Sequence, residues 1–296
     1  MMRAARLHEL GGTPRIDEID PPQGPNVVAV TAAGLNPVDI AIGNGRFYGG
    51  SPQTPYVIGS EGIGTAVDGR RIWFRSSGTI AEQAAVADEW AFDIPDGVDD
   101  GLALACGIAG LTGWLAVAWH AKVTAEDTVL VLGASGSLGA AAVQGAKLLG
   151  ARRVIGAARQ TGRVPDAADA IVELADSYQL PEATVVIDAL WGTPAERALE
   201  AAARGVRFVQ LGQSAGPTAT LQSSWVRGKA AEILGFSVFS TPHDVIAAGY
   251  YELCEHAREG RIHFDIEPFE FDDIAAAWER QASGTPGAKI VIAIRT

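Results

Sequence analysis

The chain has 296 residues, of which 48% are hydrophobic and 20% charged, with a formal net charge of -12. That is enough material for a sizeable core and for two domains, while the acidic balance supplies no general field to draw in nucleic acid or an anionic membrane. Only two cysteines occur, Cys106 and Cys254, neither in a Cys-x-x-Cys pair, so a disulfide framework is not expected and a reducing cytoplasm is the natural setting.

At the N-terminus, MMRAARLHEL has no apolar core before its first acidic residue and does not read as a secretory signal. Residues 1 to about 100 read as β-rich: Val27–Val30, Tyr56–Ile58, Ile63–Val67 and Arg71–Phe74 alternate and are separated by Gly, Pro and Asn. Gly101 to Ala121 lacks Asp, Glu, Lys and Arg over the length of a membrane span. Its four glycines, two of them bracketing Leu111-Thr112, predict instead two buried helical pieces joined at a break there.

From about residue 128 strands alternate with helices. "TVLVLG" reads as a strand, Ser137–Leu149 as a helix, "RRVIGAA" and "ATVVIDAL" as strands, "TPAERALEAAARG" as a helix and "VRFVQLG" as a strand. This rhythm predicts right-handed crossovers and a parallel sheet. After about 241 a helix follows Pro242. Then come "RIHFDIEPFEF", a helix over Asp272–Ala282 and a closing strand "KIVIAI". The tail resembles the first segment, which predicts a discontinuous outer domain (1–115 and 262–296) with an α/β domain (116–261) inserted.

The loop "GASGSLG" follows a strand and opens a helix. It meets the pattern G-x-G-x-x-G as Ala134, Ser135, Gly136, Ser137, Leu138 and Gly139, with Ala at the first position. Gly136 lets a pyrophosphate lie against the backbone, Gly139 lets helix and strand pack closely, and the free N–H groups of the helix start face the phosphates. A site for NAD would put an acid at the end of the second strand. Here that stretch reads Ala157-Ala158-Arg159-Gln160-Thr161-Gly162-Arg163, with no carboxylate and two guanidinium groups. Arginine pairs with phosphate through charge-assisted bonds, so Arg159 and Arg163 predict NADPH.

In order along the chain stand "AAGLNPVDI" (32–40), "PYVIGSEGIGTAV" (55–67), "GTIAEQAAV" (78–86), "GLTGW" (110–114), the glycine loop (133–139), "VQLGQSAG" (209–216) and "GAKIVIAI" (287–294). With these landmarks the chain resembles the zinc-independent, quinone oxidoreductase branch of the medium-chain dehydrogenase/reductase superfamily, over nearly its whole length. The resemblance implies a GroES-like β-barrel domain plus a Rossmann doubly wound parallel-sheet domain, with the active site in the cleft. It also implies a homodimer, NADPH as cofactor and a small-molecule electron acceptor, with no membrane or nucleic-acid partner. Zinc-containing relatives carry Cys-His and Gly-His-Glu where this chain has Asn36-Pro37 and Gly59-Ser60-Glu61, and Cys106 alone builds no three-ligand site. No metal is therefore expected. Without a Lewis acid the acceptor must already be electron-poor, as quinones and α,β-unsaturated carbonyls are.

The resemblance places Asn36 near the nicotinamide as an orienting residue, although an Asn before Pro37 also suits a turn cap. Thr112 falls at a cofactor contact, and Gly212 and Gln213 flank the ring. Asp39 is expected as a structural hydrogen-bonder and Cys106 as a small buried residue. Relatives often place a tyrosine two residues after a glycine, where this chain reads Gly45-Arg46-Phe47-Tyr48, so that Tyr48 comes one residue late. Tyr48 stands as a catalytic candidate, and Tyr48 and Tyr56 as walls of the substrate pocket. Short-chain dehydrogenases need Tyr-x-x-x-Lys, which is absent, and begin with the nucleotide loop, which more than 120 residues precede here. The other reading is an NADPH-binding structural or redox-sensing protein of the same fold.

Overall fold

The structure, a computed structural model, describes residues 1–24, 26–284 and 287–294. Its strands, in chain order, are β1 (Met2–Leu7), β2 (Arg15–Ile19), β3 (Val27–Leu35), β4 (Tyr56–Val57), β5 (Glu61–Thr65), β6 (Arg71–Arg75), β7 (Gln83–Ala85), β8 (Ala91–Asp93), β9 (Thr128–Leu132), β10 (Arg153–Ala158), β11 (Ala170–Glu173), β12 (Val185–Asp188), β13 (Arg207–Gln210), β14 (Glu232–Gly235), β15 (Ile266–Glu270) and β16 (Lys289–Ala293). The chain divides into two compact units. The first comprises Met1–Ile108, Tyr250–Arg258 and Phe264–Thr296; the second comprises Ala109–Gly249 and Glu259–His263.

The first unit is a β-barrel of the GroES-like kind. A seven-stranded sheet runs β15-β16-β3-β5-β6-β8 with β7 also on β3, and a three-stranded sheet runs β2-β1-β4. The nine-residue β3 serves three neighbours because its two halves face different partners: Val27–Ala29 pair with β7 and Ala32–Leu35 with β16. A bulge between Val30 and Ala32 makes the change of direction. Inward residues of these strands, among them Leu35, Ile72, Phe74, Ile290 and Ile292, form one core with Trp278 from the helix Ile274–Ala282. Each such side chain contributes about 1.5–3 kcal/mol by leaving water.

The second unit carries a six-stranded sheet, order β11-β10-β9-β12-β13-β14, parallel throughout. Numbered from β9 this is 3-2-1-4-5-6, the doubly wound dinucleotide-fold order, with its switch point between β9 and β12. All five residues of β9 are buried, as expected for a strand covered on both faces.

Asp100–His120 is long and apolar enough to cross a membrane, but 78% of its most apolar window is buried inside the protein. The break expected at Leu111-Thr112 lies instead at Gly107 (φ −63°, ψ −140°). The cause is a carboxylate: the Ile108 N–H turns to Glu61 Oε2 at 2.8 Å, and a Cβ on Gly107 would overlap that oxygen. Gly113, expected to mark the break, lies inside the helix Leu111–Leu115. There a Cβ would collide with the Leu138 carbonyl and with Ala141, so this glycine serves close helix packing.

Candidate active site

In the second unit, Gly133 ends β9 in a left-handed turn (φ +83°). The N–H groups of Gly133 and Ala134 both donate to the Ala157 carbonyl at 2.9 and 3.1 Å, which ties the loop to the end of β10. The helix Ser137–Leu148 then starts from Gly136 with no side-chain cap. Its first N–H groups have no intrahelical acceptor and carry the positive end of the helix dipole. The two fingerprint glycines do different work. A Cβ on Gly139 would overlap the Gly133 carbonyl and stand 2.7 Å from Ala134 Cα, whereas one on Gly136 would meet nothing nearer than 3.8 Å. Gly139 therefore closes the turn, and Gly136 leaves the loop's outer face bare. A diphosphate fits such a cradle of backbone donors.

Arg159 follows the last residue of β10, is exposed, and makes no hydrogen bond or ion pair among the described residues. Arg163 is exposed on the short turn Thr161–Arg163. Ala189 and Leu190 bring two predicted segments together. A Cβ on Gly133 would touch Leu190 Cδ2 at 3.2 Å, and one on Gly212 would stand 2.7 Å from the Ala189 carbonyl. Gln213 is exposed beside Gly212, and Thr112 is buried on the helix whose Gly113 abuts Leu138. Asp188, in register with Leu132, is fully buried. Its Oδ1 accepts the N–H groups of Leu190 (2.8 Å) and Trp191 (3.0 Å), while Oδ2 has no partner among the described residues. Burial pushes its pKa up to about 6 against those two bonds.

The first unit holds a buried polar cluster. Glu61 (0% exposed) and Lys289 (2%) form an ion pair between β5 and β16. Glu61 Oε1 also accepts from Asn36 Nδ2 (2.8 Å), and Oε2 accepts from Trp73 Nε1 (2.8 Å) and the Ile108 N–H (2.8 Å). Lys289 Nζ donates in addition to Asn36 Oδ1 at 2.6 Å. Burial alone would raise the Glu61 pKa; the Lys289 charge and these hydrogen bonds overcome it and hold the carboxyl below its usual value. Gly34 makes room for the pair, since a Cβ there would lie 2.7 Å from both Glu61 Oε1 and Lys289 Nζ. The Asn36 amide, 1% exposed, is thus bonded at both ends within this cluster.

Beside the cluster lies a pocket of about 300 Å³, lined by Asp39, Ile42, Tyr56, Ile58, Ser60 and Ser77 among others. Asp39 sits on the short helix Pro37–Gly43. Its Oδ2 accepts the Asn36 N–H at 2.8 Å and its Oδ1 accepts Ser60 Oγ–H at 2.5 Å. Burial pushes its pKa up to about 6, with the Ser60 and Asn36 bonds and Lys289 opposing. The Tyr56 hydroxyl is shielded and has no partner among the described residues; burial, then the Asp39 charge, pushes it up to about 12. Tyr48 lines no part of this pocket. It is 81% exposed, its ring 4.5 Å from that of Phe47. Cys106 is buried, its thiol raised well above its usual pKa by a hydrogen bond with Cys254 and by burial.

Sequence reading left Ser60, Glu61 and Lys289 without roles. The visible signals were an acid among glycines ("GSEGIG") and a lone cation opening an apolar strand ("KIVIAI").

No family model matches the chain. It is 30% identical to one subunit of the phenolphthiocerol/phthiocerol polyketide synthase of Mycobacterium tuberculosis, over 98% of this chain and 14% of that protein. Human quinone oxidoreductase is 35% identical over 49% of each chain. These matches thus span about half of the curated oxidoreductase and a small part of the synthase. The quinone oxidoreductase of Thermus thermophilus, also solved in complex with NADPH, superimposes with a TM-score of 0.84 at 25% identity, over 99% of this chain and all of that one. The fold is that of the quinone oxidoreductase-like branch of the medium-chain dehydrogenase/reductase superfamily. The Asn36 amide and the Ser60 hydroxyl are both engaged in hydrogen bonds inside the first unit.

Proposed function

We propose that this protein is an NADPH-dependent oxidoreductase that transfers hydride to a quinone or an α,β-unsaturated carbonyl. The observation that carries the reading is the end of β10. There Arg159, unpaired among the described residues, stands where an NAD site would need an acid, beside a glycine loop whose helix has no side-chain cap. Ala134–Gly139 hold the pyrophosphate through backbone donors, and Arg159 with Arg163 takes the 2′-phosphate. Thr112, Gly212 and Gln213 belong to the same cofactor site. When bound, the nicotinamide supplies the hydride. The pocket of the first unit takes the acceptor, and the orphan Tyr56 hydroxyl donates to its carbonyl, so that the cost of burying that group unpaired is removed on binding. Asn36 orients rather than reacts.

Two buried free thiols suit a reducing cytoplasm. The partly exposed edge strand β14 offers a free row of backbone groups to a second copy, which supports a homodimer and would show as twice the chain's mass in sedimentation.

The test is Arg159→Ala. Losing one charge-assisted bond is worth roughly 1.5–3 kcal/mol, so NADPH affinity falls tenfold or more while NADH affinity changes little. Equal loss for both cofactors refutes the assignment. The exposure of Tyr48 favours a second reading, an NADPH-binding structural or redox-sensing protein. Stopped-flow mixing of bound NADPH with quinones and enones separates the two, since only the enzyme oxidises the cofactor.

A further inference from the structure

Hydride transfer to a carbonyl-conjugated acceptor leaves an oxyanion that needs a proton. Of the polar groups near the pocket, Glu61 has both oxygens saturated by four donors and is sealed from the cavity. Tyr48 stands in solvent. Ser60 is half-buried and lines the cavity, and it shares that wall with Asp39, whose Oδ1 its hydroxyl meets at 2.5 Å.

We propose that Ser60 is the catalytic proton donor to the reduced acceptor and that Asp39 resupplies its proton. The proposal rests on the oxidoreductase reading above. The geometry fixes where the proton sits. Asp39 Oδ2 is held as an acceptor by the Asn36 N–H, so a titrating proton resides on Oδ1, in the bond to Ser60. The titratable groups facing Asp39 are Tyr56 from β4, Glu61 from β5 and Lys289 from β16. Burial, aided by the Glu61 charge and opposed by the Lys289 charge and the two hydrogen bonds, leaves the carboxyl titrating near pH 6, close to neutrality, where a general acid works best.

The step balances. With the cofactor bound, the acceptor's electron-poor carbon would gain a C–H bond as a C–H bond of the reduced cofactor breaks, and a π bond of the acceptor would move its electrons onto oxygen. The Ser60 O–H bond breaks as the oxyanion takes its proton. The Asp39 O–H bond breaks as Ser60 Oγ is reprotonated, and the carboxylate regains a proton from water in the pocket. Overall, acceptor, NADPH and one proton give reduced acceptor and NADP⁺.

Single-turnover oxidation of bound NADPH by an enone, followed against pH, reads the relay. Wild type is expected to slow by about tenfold per pH unit above the Asp39 pKa. Ser60→Ala and Asp39→Asn should lose about a hundredfold at pH 6 and give flat profiles, while Ser60→Thr, which keeps the hydroxyl, restores the limb. A readout without cofactor or acceptor is the ¹³C carboxyl spectrum of the free protein. A resonance titrating near pH 6 should vanish in Asp39→Asn and move to higher pH in Ser60→Ala, which loses a bond that lowers the pKa. Ser60→Ala, with one partly exposed hydroxyl removed, carries the test should Asp39→Asn not fold. Retention of the wild-type rate and pH limb in Ser60→Ala overturns the relay alone. Absence of hydride transfer from wild type to every quinone and enone at every pH overturns the proposed activity and the relay with it.

Discussion

Lys289 and Glu61 stand 228 positions apart in sequence and form an ion pair in a buried cluster. A buried pair of this kind adds little net stability over a well-packed apolar pair, because both ions lose their hydration. Breaking it is different, since one charge is then left alone in the core. Lys289→Met is expected to lower unfolding stability by about 3–5 kcal/mol, and Lys289→Met with Glu61→Gln to recover a large part of that loss. Urea unfolding of the three proteins measures it; equal loss in the single and double variants would show that the charge is not what matters. The same contrast explains what sequence could tell about the site. The tight turn of the glycine loop and the place of Arg159 just after β10 were legible, because each follows a short continuous apolar strand. The Ser60–Asp39 contact and the Asn36–Glu61–Lys289 cluster depend on pairings between β3, β5 and β16, which no local pattern reports.

At the scale of elements, the strands of the second unit were legible because each is a short apolar run that a helix separates from the next. β9, β10, β12 and β13 all lie within the runs read from sequence. The missed strands are β1, β2, β7, β8, β11 and β14; all but β1, which is central in its three-stranded sheet, are edge or short ones. β11 and β14 end the parallel sheet and are more exposed than its centre, so their side chains lack a buried strand's signature. The helix break was misplaced for a similar reason. Glycine marks both a kink and a close approach, and only the tertiary structure tells Gly107, which faces Glu61, from Gly113, which faces Leu138. The turn from β9 into the helix Ser137–Leu148 depends on such an approach. Gly139→Ala should push that helix off Gly133, lower stability by about 1–3 kcal/mol and weaken NADPH at least tenfold. Gly136→Ala, with open space above it, should leave stability nearly unchanged and still impair the cofactor. Thermal melts with and without NADPH distinguish the two; equal destabilisation would refute the division of labour.

Across the whole molecule, two buried carboxyls, Asp39 and Asp188, are each raised to about 6, one in each unit. A carboxyl whose folded pKa exceeds its unfolded value binds its proton more tightly in the native state. Its contribution is therefore fully present below the unfolded pKa near 3.8 and is lost as pH rises through about 6. A rise of about two units corresponds to about 3 kcal/mol for each group. Glu61 works in the opposite sense: its depressed pKa gives stability above the usual glutamate value that is lost only in stronger acid. Between about pH 4 and 6 the two aspartates therefore pull stability down as pH rises, against the general trend of the ion-paired surface acids. Asp188→Asn isolates one of them. The asparagine oxygen can still accept from Leu190 and Trp191, while the unpartnered Oδ2 becomes an uncharged NH₂. Measured by urea unfolding from pH 4 to 8, this variant should gain on wild type steadily up to about pH 6 and hold a constant difference above it. The unsatisfied amide donors offset part of the full 3 kcal/mol. A difference that stays flat from pH 4 to 8 would show that Asp188 does not titrate in that window and that its carboxyl finds a partner in solution.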